Sequence, residues 1–327
     1  MEKIISIFAH VLILALAVLM LSCASPEVKD QQGALKRLPE PPAGAYYEYL
    51  LGYEAELSGD WDEALKHYNE ALRLDPSSYY LKTQMSYIYL RTGRVQDAIK
   101  TMEDVARSDG TYVPALMLLA QMYNSQKRLD EAISLYEKVI KIDPSVSDAY
   151  LFLGVLYGSQ QRYDNAVNIL ESLLKQKPEV VMASYYLGVI YMETKKYDKA
   201  EEYFKKVIDL KPNFEPAYFN LGLIHEINDD LPQAEIYYGK AAELNQNDAD
   251  KTWWAAAHWG MAYCLAKLGK YDESLDSFYK SALAPTPRRT FSTLIWSDIG
   301  DAQLDHEKCA DNALEAYERS IELYHEL

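Results

Sequence analysis

Cysteine and histidine are scarce in this sequence, and the usual signatures of catalytic and cofactor sites are missing. The 327 residues include three cysteines and six histidines. The cysteines are too few for a disulfide framework, and the histidines show no metal-site spacing with them. Neither a Gly-x-Gly-x-x-Gly motif nor a phosphate-binding Gly-Lys-Ser/Thr loop occurs. We therefore expect no metal, no cofactor and no enzymatic activity, and we expect Cys264 to be a buried hydrophobic residue.

Positive charge is also in short supply. The chain carries 33 Lys and Arg against 49 Asp and Glu, for a formal net charge of −16. Residues 209–251 contain nine acids and three bases, and residues 298–327 contain nine acids and two bases. Such a surface repels phosphate backbones, so nucleic acid is not an expected partner. It also repels anionic membrane surfaces, so any membrane contact has to come from an anchor.

The N-terminus supplies a candidate anchor. Residues 4–21 are almost wholly apolar and follow a single Lys3, as in a secretory signal. Leu21-Ser22-Cys23-Ala24 resembles the bacterial lipobox, although Met20 stands where leucine is usual. The resemblance implies a signal peptide at 1–22 and an acylated Cys23. The alternative is an uncleaved single-span inner-membrane anchor, because about eighteen apolar residues just span a bilayer.

Residues 23–44 are predicted to be a lipidated cysteine followed by a proline-rich linker. Pro26, Pro39, Pro41 and Pro42 remove backbone donors and favour extended chain. No aspartate follows Cys23 to retain a lipoprotein at the inner membrane. The expected location is therefore the outer membrane, facing the periplasm.

An internal repeat of 34 residues dominates the rest of the chain. A small residue recurs near the middle of each predicted first helix: Gly52, Ser86, Ala120, Gly154, Gly188, Gly222, Ala262 and Gly300. A second series marks each predicted second helix: Ala64, Ala98, Ala132, Ala166, Ala200, Ala234, Ser274 and Ala313. Small residues let two helices approach closely, and large apolar residues three or four positions away complete the same helical face. Many of the 28 tyrosines are explained in this way as core residues, and His225 in such a position is expected to be a buried histidine with its hydrogen bonds satisfied.

Each repeat ends at a helix breaker, and the whole arrangement resembles a known family. Pro76, Pro144, Pro178 and Pro212 recur at one phase. Tyr150-Leu153-Gly154-Tyr157 with Ala166 is similar to the tetratricopeptide repeat (TPR) pattern. The resemblance implies an all-α solenoid of about eight helical hairpins wound as a right-handed superhelix. It implies TPR repeats one to six at residues 45–247 and repeats seven and eight, with insertions, at residues 248–327.

The last two repeats depart from the pattern. An insertion at about 248–253 is expected to lengthen the next first helix, and it groups three tryptophans near that point. These are either a recognition cluster or a filling for the irregular junction. The loop 284–290 is a basic patch between acidic regions. No polar cap closes the C-terminal end, so a continuing chain, a partner or self-association is expected there.

In this family the first helices line the concave surface, so their outward side chains are the expected contacts of a partner. These positions are apolar and aromatic, which suits a helix or an extended segment with several apolar anchors. The candidate partner-binding residues are Tyr46, Tyr49, Tyr53, Tyr80, Tyr87, Tyr185, Phe219, Trp253, Trp254, Trp259 and Tyr263.

The sequence thus predicts a non-catalytic envelope lipoprotein that acts as a protein–protein interaction scaffold. Assembly of a pilus, of the outer membrane or of a polysaccharide-export system is the expected setting. The alternative is that the array is the substrate-recruiting N-terminal part of a larger enzyme or complex. A fold of this kind serves many functions and does not choose between them.

Overall fold

The computed structural model describes residues 27–29, 35–37, 42–244 and 252–283. The chain divides into two compact lobes, Met1–Met122 and Tyr123–Leu327. The predictions for Cys23, for the apolar segment 4–21, for the loop 284–290 and for repeat eight lie outside the described residues.

The first lobe begins with a short antiparallel ribbon inside the segment predicted to be a linker. Strand β1 (Glu27–Lys29) pairs with β2 (Leu35–Arg37), with Glu27 opposite Arg37. The helices of this lobe are α1 (Ala43–Ser58), α2 (Trp61–Leu74), α3 (Tyr79–Arg91), α4 (Val95–Ser108) and the larger part of α5 (Val113–Ser125).

The second lobe continues the same alternation of first and second helices. Its helices are α6 (Leu129–Ile142), α7 (Ser147–Ser159), α8 (Tyr163–Gln176), α9 (Val181–Glu193), α10 (Tyr197–Leu210), α11 (Glu215–Ile227), α12 (Leu231–Leu244), α13 (Thr252–Lys267) and α14 (Tyr271–Leu283). The described residues therefore hold fourteen helices, and the all-α prediction is confirmed. Within this lobe each helix packs on its neighbours in sequence, as α8 does on α7 and α9.

First and second helices differ in how they are buried. The second helix α2 buries one face, including Ala64 and Tyr68, and leaves Lys66 in solvent. The first helix α9 is apolar on most sides, because it lies between its own second helix and its neighbours. Side chains of both kinds of helix form the core, which runs along each lobe.

The small residues mark the points where paired helices approach most closely. All the predicted small positions of the described second helices, from Ala64 to Ser274, are fully buried. A Cβ added to Gly154 would lie 2.7 Å from Leu170, and one added to Gly188 would lie 2.6 Å from Phe204. The predicted small-to-large packing between paired helices is confirmed.

The turn inside each hairpin has a fixed backbone conformation. One residue of each turn has a positive φ: Gly59, Gly93, Lys127, Gln161, Lys195, Asp229 and Gly269. This left-handed conformation is favourable for glycine and costs energy for residues that carry a Cβ.

The insertion before repeat seven lengthens the following helix, as predicted. Helix α13 has 16 residues, compared with 13 in α11.

Candidate functional site

Five tyrosines of the first lobe lie on two neighbouring first helices, and three of them contact the ring of a fourth, Tyr49. Helix α1 carries three of them and α3 carries two, and we call this set the tyrosine surface: Tyr46, Tyr49, Tyr53, Tyr80 and Tyr87. Four of the side chains are 41–49% exposed, a large value for so many aromatic residues. The structure thus brings together these five predicted residues and leaves four of them open to solvent.

Tyr49 is the half-buried centre of the surface. Its ring stacks on Tyr53 with centroids 6.3 Å apart, and it meets the edge of Tyr80 at 5.6 Å. The hydroxyls of Tyr49 and Tyr80 form a hydrogen bond of 3.0 Å. Burial, and then this hydrogen bond, raise the pKa of Tyr49 well above its ordinary value. Tyr49 is therefore a neutral, fixed element that joins α1 to α3.

The core beneath Tyr49 holds the surface in place. Tyr49 stacks on the buried ring of Tyr68 at 5.8 Å, and Tyr68 donates a hydrogen bond of 2.9 Å to Glu56. Gly52 lets that ring approach, because an added Cβ would stand 2.5 Å from it. The tyrosine surface therefore rests on a packed core.

A cavity of about 180 Å³ opens between the rings of α1 and α3. Its lining is largely aromatic and aliphatic, with one carboxylate residue and one serine: Ala45, Tyr46, Tyr49, Asp75, Ser78, Tyr80 and Leu81. Asp75 lies directly after α2, and its carboxylate accepts a hydrogen bond of 2.8 Å from Ser77. The cavity belongs entirely to the first lobe.

The charge around the tyrosine surface is negative. Helix α1 carries Glu48, Glu54 and Glu56 and no lysine or arginine. His67 meets the carboxylate of Glu48 at 2.7 Å. On α3, Lys82 lies over the ring of Tyr79, 5.7 Å from its centroid. A positively charged partner would be favoured here.

The predicted contact residues of the second lobe are more deeply packed. Tyr185 lies edge-on to Phe214 at 5.1 Å and also meets Phe204, and Phe219 packs on Tyr238 at 5.4 Å. Tyr263 is 37% exposed. These residues do not form an exposed patch comparable to the tyrosine surface.

The structure describes the side chains of two of the three tryptophans of α13. Trp254 packs on Ala241, Ala242 and Ala257, and its ring meets His258 edge-on at 4.4 Å. Trp259 is half-buried. The side chain of Trp253 lies outside the described residues.

Sequence reasoning missed three exposed aromatic residues, one of which is Tyr279 on α14 at 38% exposure. Phe152 on α7 is 40% exposed beside Val155, and Tyr47 on α1 is 60% exposed. Phe152 could have been found, since it lies three residues before the outward-facing Val155 and so on the same face. Tyr47 could not, because the corresponding residues of later repeats, such as Leu81 and Ala115, are buried.

A ladder of cation–ring contacts runs along the repeats beside the turns. Each contact joins the residue before a second helix to a tyrosine five positions earlier. The distances to the ring centroid are 4.5 Å for Arg94 on Tyr89, 3.8 Å for Arg128 on Tyr123, 4.4 Å for Arg162 on Tyr157 and 5.9 Å for Lys196 on Tyr191. Such contacts are attractive because the ring face is negative.

The described part of the chain offers no evident catalytic centre. No group of three or more metal-ligating side chains comes together in it. Cys264 is fully buried, as predicted, and burial raises the pKa of its thiol to about 12, so it is a poor nucleophile. Among the described helices, none is both long and apolar enough to cross a membrane.

Family profiles for the tetratricopeptide repeat match the chain in a nearly unbroken series. The matches cover residues 32–79 and 151–213, 56–122, 120–161 and 215–248. The chain belongs to the tetratricopeptide repeat family. TPR proteins act as protein-interaction scaffolds, and their fold is generally non-catalytic.

Solved structures of TPR proteins share the fold at low sequence identity. A TPR protein from Parabacteroides merdae is 17% identical, with a TM-score of 0.57 over 78% of this chain and 98% of its own. PilW, a widely conserved type IV pilus biogenesis factor, is 20% identical, with a TM-score of 0.51 over 62% of this chain and 90% of its own. PilF from Pseudomonas aeruginosa is 19% identical, with a TM-score of 0.51 over 61% of this chain and 88% of its own. No match was found among curated protein sequences.

TPR repeat six departs from the cation–ring ladder. His225 stands where repeats two to five have tyrosine, and Asp230 replaces the cation, with Nδ1 of His225 3.0 Å from that carboxylate. Nε2 of His225 is buried without a hydrogen-bond partner among the described residues, and Glu201 lies 3.7 Å away. His225 is half-buried, with 16% of its side chain exposed, so the prediction of a buried histidine holds only in part. The predicted hydrogen bonding is met at Nδ1, by Asp230, and is not met at Nε2 within the described residues.

Proposed function

We propose that this protein is a lipid-anchored TPR adaptor of the bacterial envelope that recruits a protein partner through the tyrosine surface. Cys23 carries the anchor, and the array faces the periplasm from the outer membrane. The apolar segment 4–21 and the lipobox-like Leu21-Ser22-Cys23-Ala24 support the anchor. The shared fold with PilF and PilW supports a role in assembling an envelope machine such as a pilus.

The observation that carries the proposal is the exposure of Tyr46, Tyr53, Tyr80 and Tyr87 on one lobe. Aromatic side chains are large, rigid anchors of protein interfaces and are costly to leave in water without a partner. The packed core beneath Tyr49 pre-orders this surface, so that less conformational freedom is lost on binding.

The spacing of the tyrosines describes the partner. Tyr46 and Tyr53 are seven residues apart on α1, and Tyr80 and Tyr87 are seven residues apart on α3. Seven helical residues rise by about 10 Å. A partner helix with apolar anchors at i and i+7 has the same spacing, and so has an extended segment with anchors about three residues apart.

The second lobe provides a further candidate contact region. Tyr185, Phe219, Trp254, Trp259 and Tyr263 lie on its first helices. We assign them a secondary role, because most of them already pack against neighbouring helices.

Site-specific photocrosslinking in the native envelope tests the adaptor function. A photoreactive phenylalanine is placed at position 53 or 87 of the full-length chain, with position 66 on the exposed face of α2 as the matched control. We expect one discrete adduct from positions 53 and 87 and none from position 66. The adduct should be lost when Tyr46 and Tyr80 are both replaced by serine. Equal adducts from all three positions, or none from any, would contradict the proposal.

Mass measurement and palmitate labelling test the anchor. The mature wild-type protein should lack residues 1–22, carry acyl chains and fractionate with the outer membrane. The Cys23→Ala variant should lose the acyl mass and the label. Retention of an unmodified N-terminal segment in both proteins would show that the chain has a single-span anchor instead.

A further inference from the structure

In the cation–ring ladder, the face of a tyrosine ring is covered by a positively charged side chain of the same protein. Arg94, Arg128 and Arg162 each supply the positive charge from within the chain. In the described residues, no lysine or arginine lies over Tyr46, Tyr49 or Tyr80. Within the described residues, the three rings that line the cavity therefore have no cation of the chain over them.

We propose that the cavity between Tyr46, Tyr49 and Tyr80 binds the side chain of a lysine carried by the partner protein. The inference rests on the proposed function, since it names one contact of the recruited segment. The ammonium group meets the ring faces, and its methylene stem lies along Ala45 and Leu81. Asp75 and Ser78 also line the cavity and carry hydrogen-bond acceptors, although Oγ of Ser78 already accepts a hydrogen bond of 3.3 Å from the backbone N–H of Leu81.

The size of the cavity fits one unbranched side chain. A volume of about 180 Å³ corresponds to about six water molecules in the liquid. A lysine side chain beyond Cβ has three methylene groups and one nitrogen, so it fills most of this space.

The charge around the cavity favours a cation, and the residues that line the cavity favour lysine over arginine. Glu48, Glu54 and Glu56 on α1, together with Asp75 at the cavity, outnumber the two bases of α3, Lys82 and Arg91, which lie over the rings of Tyr79 and Trp61. Arginine gains most from a bidentate carboxylate. Here Asp75 is the one carboxylate at the cavity, and it already accepts a hydrogen bond from Ser77.

A lipid headgroup with a quaternary ammonium is the competing occupant, and the charges disfavour it. Its phosphate would lie next to the glutamates of α1, and Lys82 of α3 already lies over Tyr79. We therefore assign the cavity to a peptide and treat the lipid as an outcome of the test.

Two matched tripeptides test the proposal against the mature chain in solution. The probes are acetyl-Ala-Lys-Ala-amide and its norleucine analogue, which lacks the ammonium group, and binding is measured by saturation-transfer NMR. We expect the lysine peptide to bind about three- to thirtyfold more tightly. Tyr80→Leu should abolish this preference, whereas Tyr80→Phe and the matched Tyr87→Leu should keep it.

Several results would overturn the assignment. Equal affinity for the two peptides would show that the cavity binds an apolar chain and does not recognise the ammonium group. If neither peptide bound, the cavity would not be a binding site. Displacement of the lysine peptide by phosphatidylcholine vesicles at matched concentration would make the occupant a membrane. The proposed adaptor function is separable from these results, because crosslinking at positions 53 and 87 would persist if this cavity alone were misassigned.

Discussion

At the scale of single residues, the packing of paired helices depends on glycine positions, where the absence of a Cβ lets a large side chain approach. Gly188 on α9 lies against the buried ring of Phe204, and no Cβ fits between them. Gly158 is also helical, but an added Cβ there would lie 3.9 Å from Ile190, an ordinary contact distance. The two glycines therefore differ in what an extra methyl group would do.

Gly188→Ala should lower the free energy of unfolding by about 1 to 2 kcal/mol, because overpacking outweighs the gain in helix propensity. Gly158→Ala should raise it by about 0.5 kcal/mol, because only the propensity changes. Urea unfolding followed by circular dichroism measures both. Adding Phe204→Leu should reduce the cost of Gly188→Ala, and full additivity of the two changes would contradict the packing account.

His258 gives a second residue-scale prediction, which concerns pH. Burial lowers the pKa of His258 to about 4 from 6.5, and its side chain is 8% exposed. Above pH 6.5 the histidine is neutral in both the folded and the unfolded chain. Between pH 6.5 and pH 4 the unfolded chain binds the proton first, so stability falls as the pH falls.

At pH 4.5 this effect should have removed about 2 to 3 kcal/mol relative to pH 7. The variant His258→Gln should lose correspondingly less stability than the wild type over the same range. Tryptophan fluorescence during urea unfolding measures the difference, since three of the five tryptophans lie in α13. An identical pH dependence of the two proteins would exclude His258 as the cause.

At the scale of elements, each hairpin repeats the same turn with different residues. Gly93 and Lys195 occupy the same turn position, with φ of 75° and 55°. Nothing lies within 4 Å of a Cβ added to Gly93, so the backbone conformation alone favours glycine there. The lysine position carries local strain that the packing of α9 on α10 overcomes.

Lys195→Gly should raise the free energy of unfolding by about 0.5 to 1 kcal/mol, because relief of the left-handed conformation exceeds the entropy cost of glycine. The reciprocal Gly93→Ala should lower it by about 1 kcal/mol. Thermal and urea unfolding of the two variants check the signs. A loss of stability in Lys195→Gly would show that the lysine side chain makes a compensating contact.

At the scale of the whole molecule, the repeats are close to interchangeable within the second lobe. Helix α7 buries Ala149, Leu153 and Leu156, and α9 buries Ala183, Leu187 and Ile190 at the same positions. The outer contacts repeat as well, since Tyr157 donates a 2.6 Å hydrogen bond to Glu137 and Tyr191 lies 3.4 Å from Glu171.

Removal of residues 147–180, one full period, should therefore leave a folded array. Helix α9 would then pack on α6 as α7 does now, because nearest-neighbour contacts dominate repeat proteins. Circular dichroism should show the loss of one hairpin, and the urea m-value should fall because less surface is buried. A deletion of residues 147–162, which removes α7 alone and leaves α8 without its partner helix, is the control and should aggregate or unfold.

Much of the fold could be predicted from the sequence, because the same packing pattern recurs in every repeat. The 34-residue period placed the small residues of both helices, the breaker prolines and the hairpin order. The structure confirmed their burial from Ala64 to Ser274. The spacing of apolar residues predicts which face of a helix is buried, because the apolar residues are the ones that pack in the core.

Only the tertiary structure decided which outward residues form a site. Tyr53 and Tyr185 were predicted on the same grounds, yet Tyr53 is 46% exposed and Tyr185 packs against Phe204 and Phe214. The cavity beside Tyr49 depends on how α1 and α3 lie against each other, which no single helix encodes. The lack of a hydrogen-bond partner for Nε2 of His225 among the described residues likewise follows from how Asp230 and Glu201 are placed around it. A sequence pattern fixes which face of each helix is buried, whereas distances between residues of different helices exist only once those faces have packed.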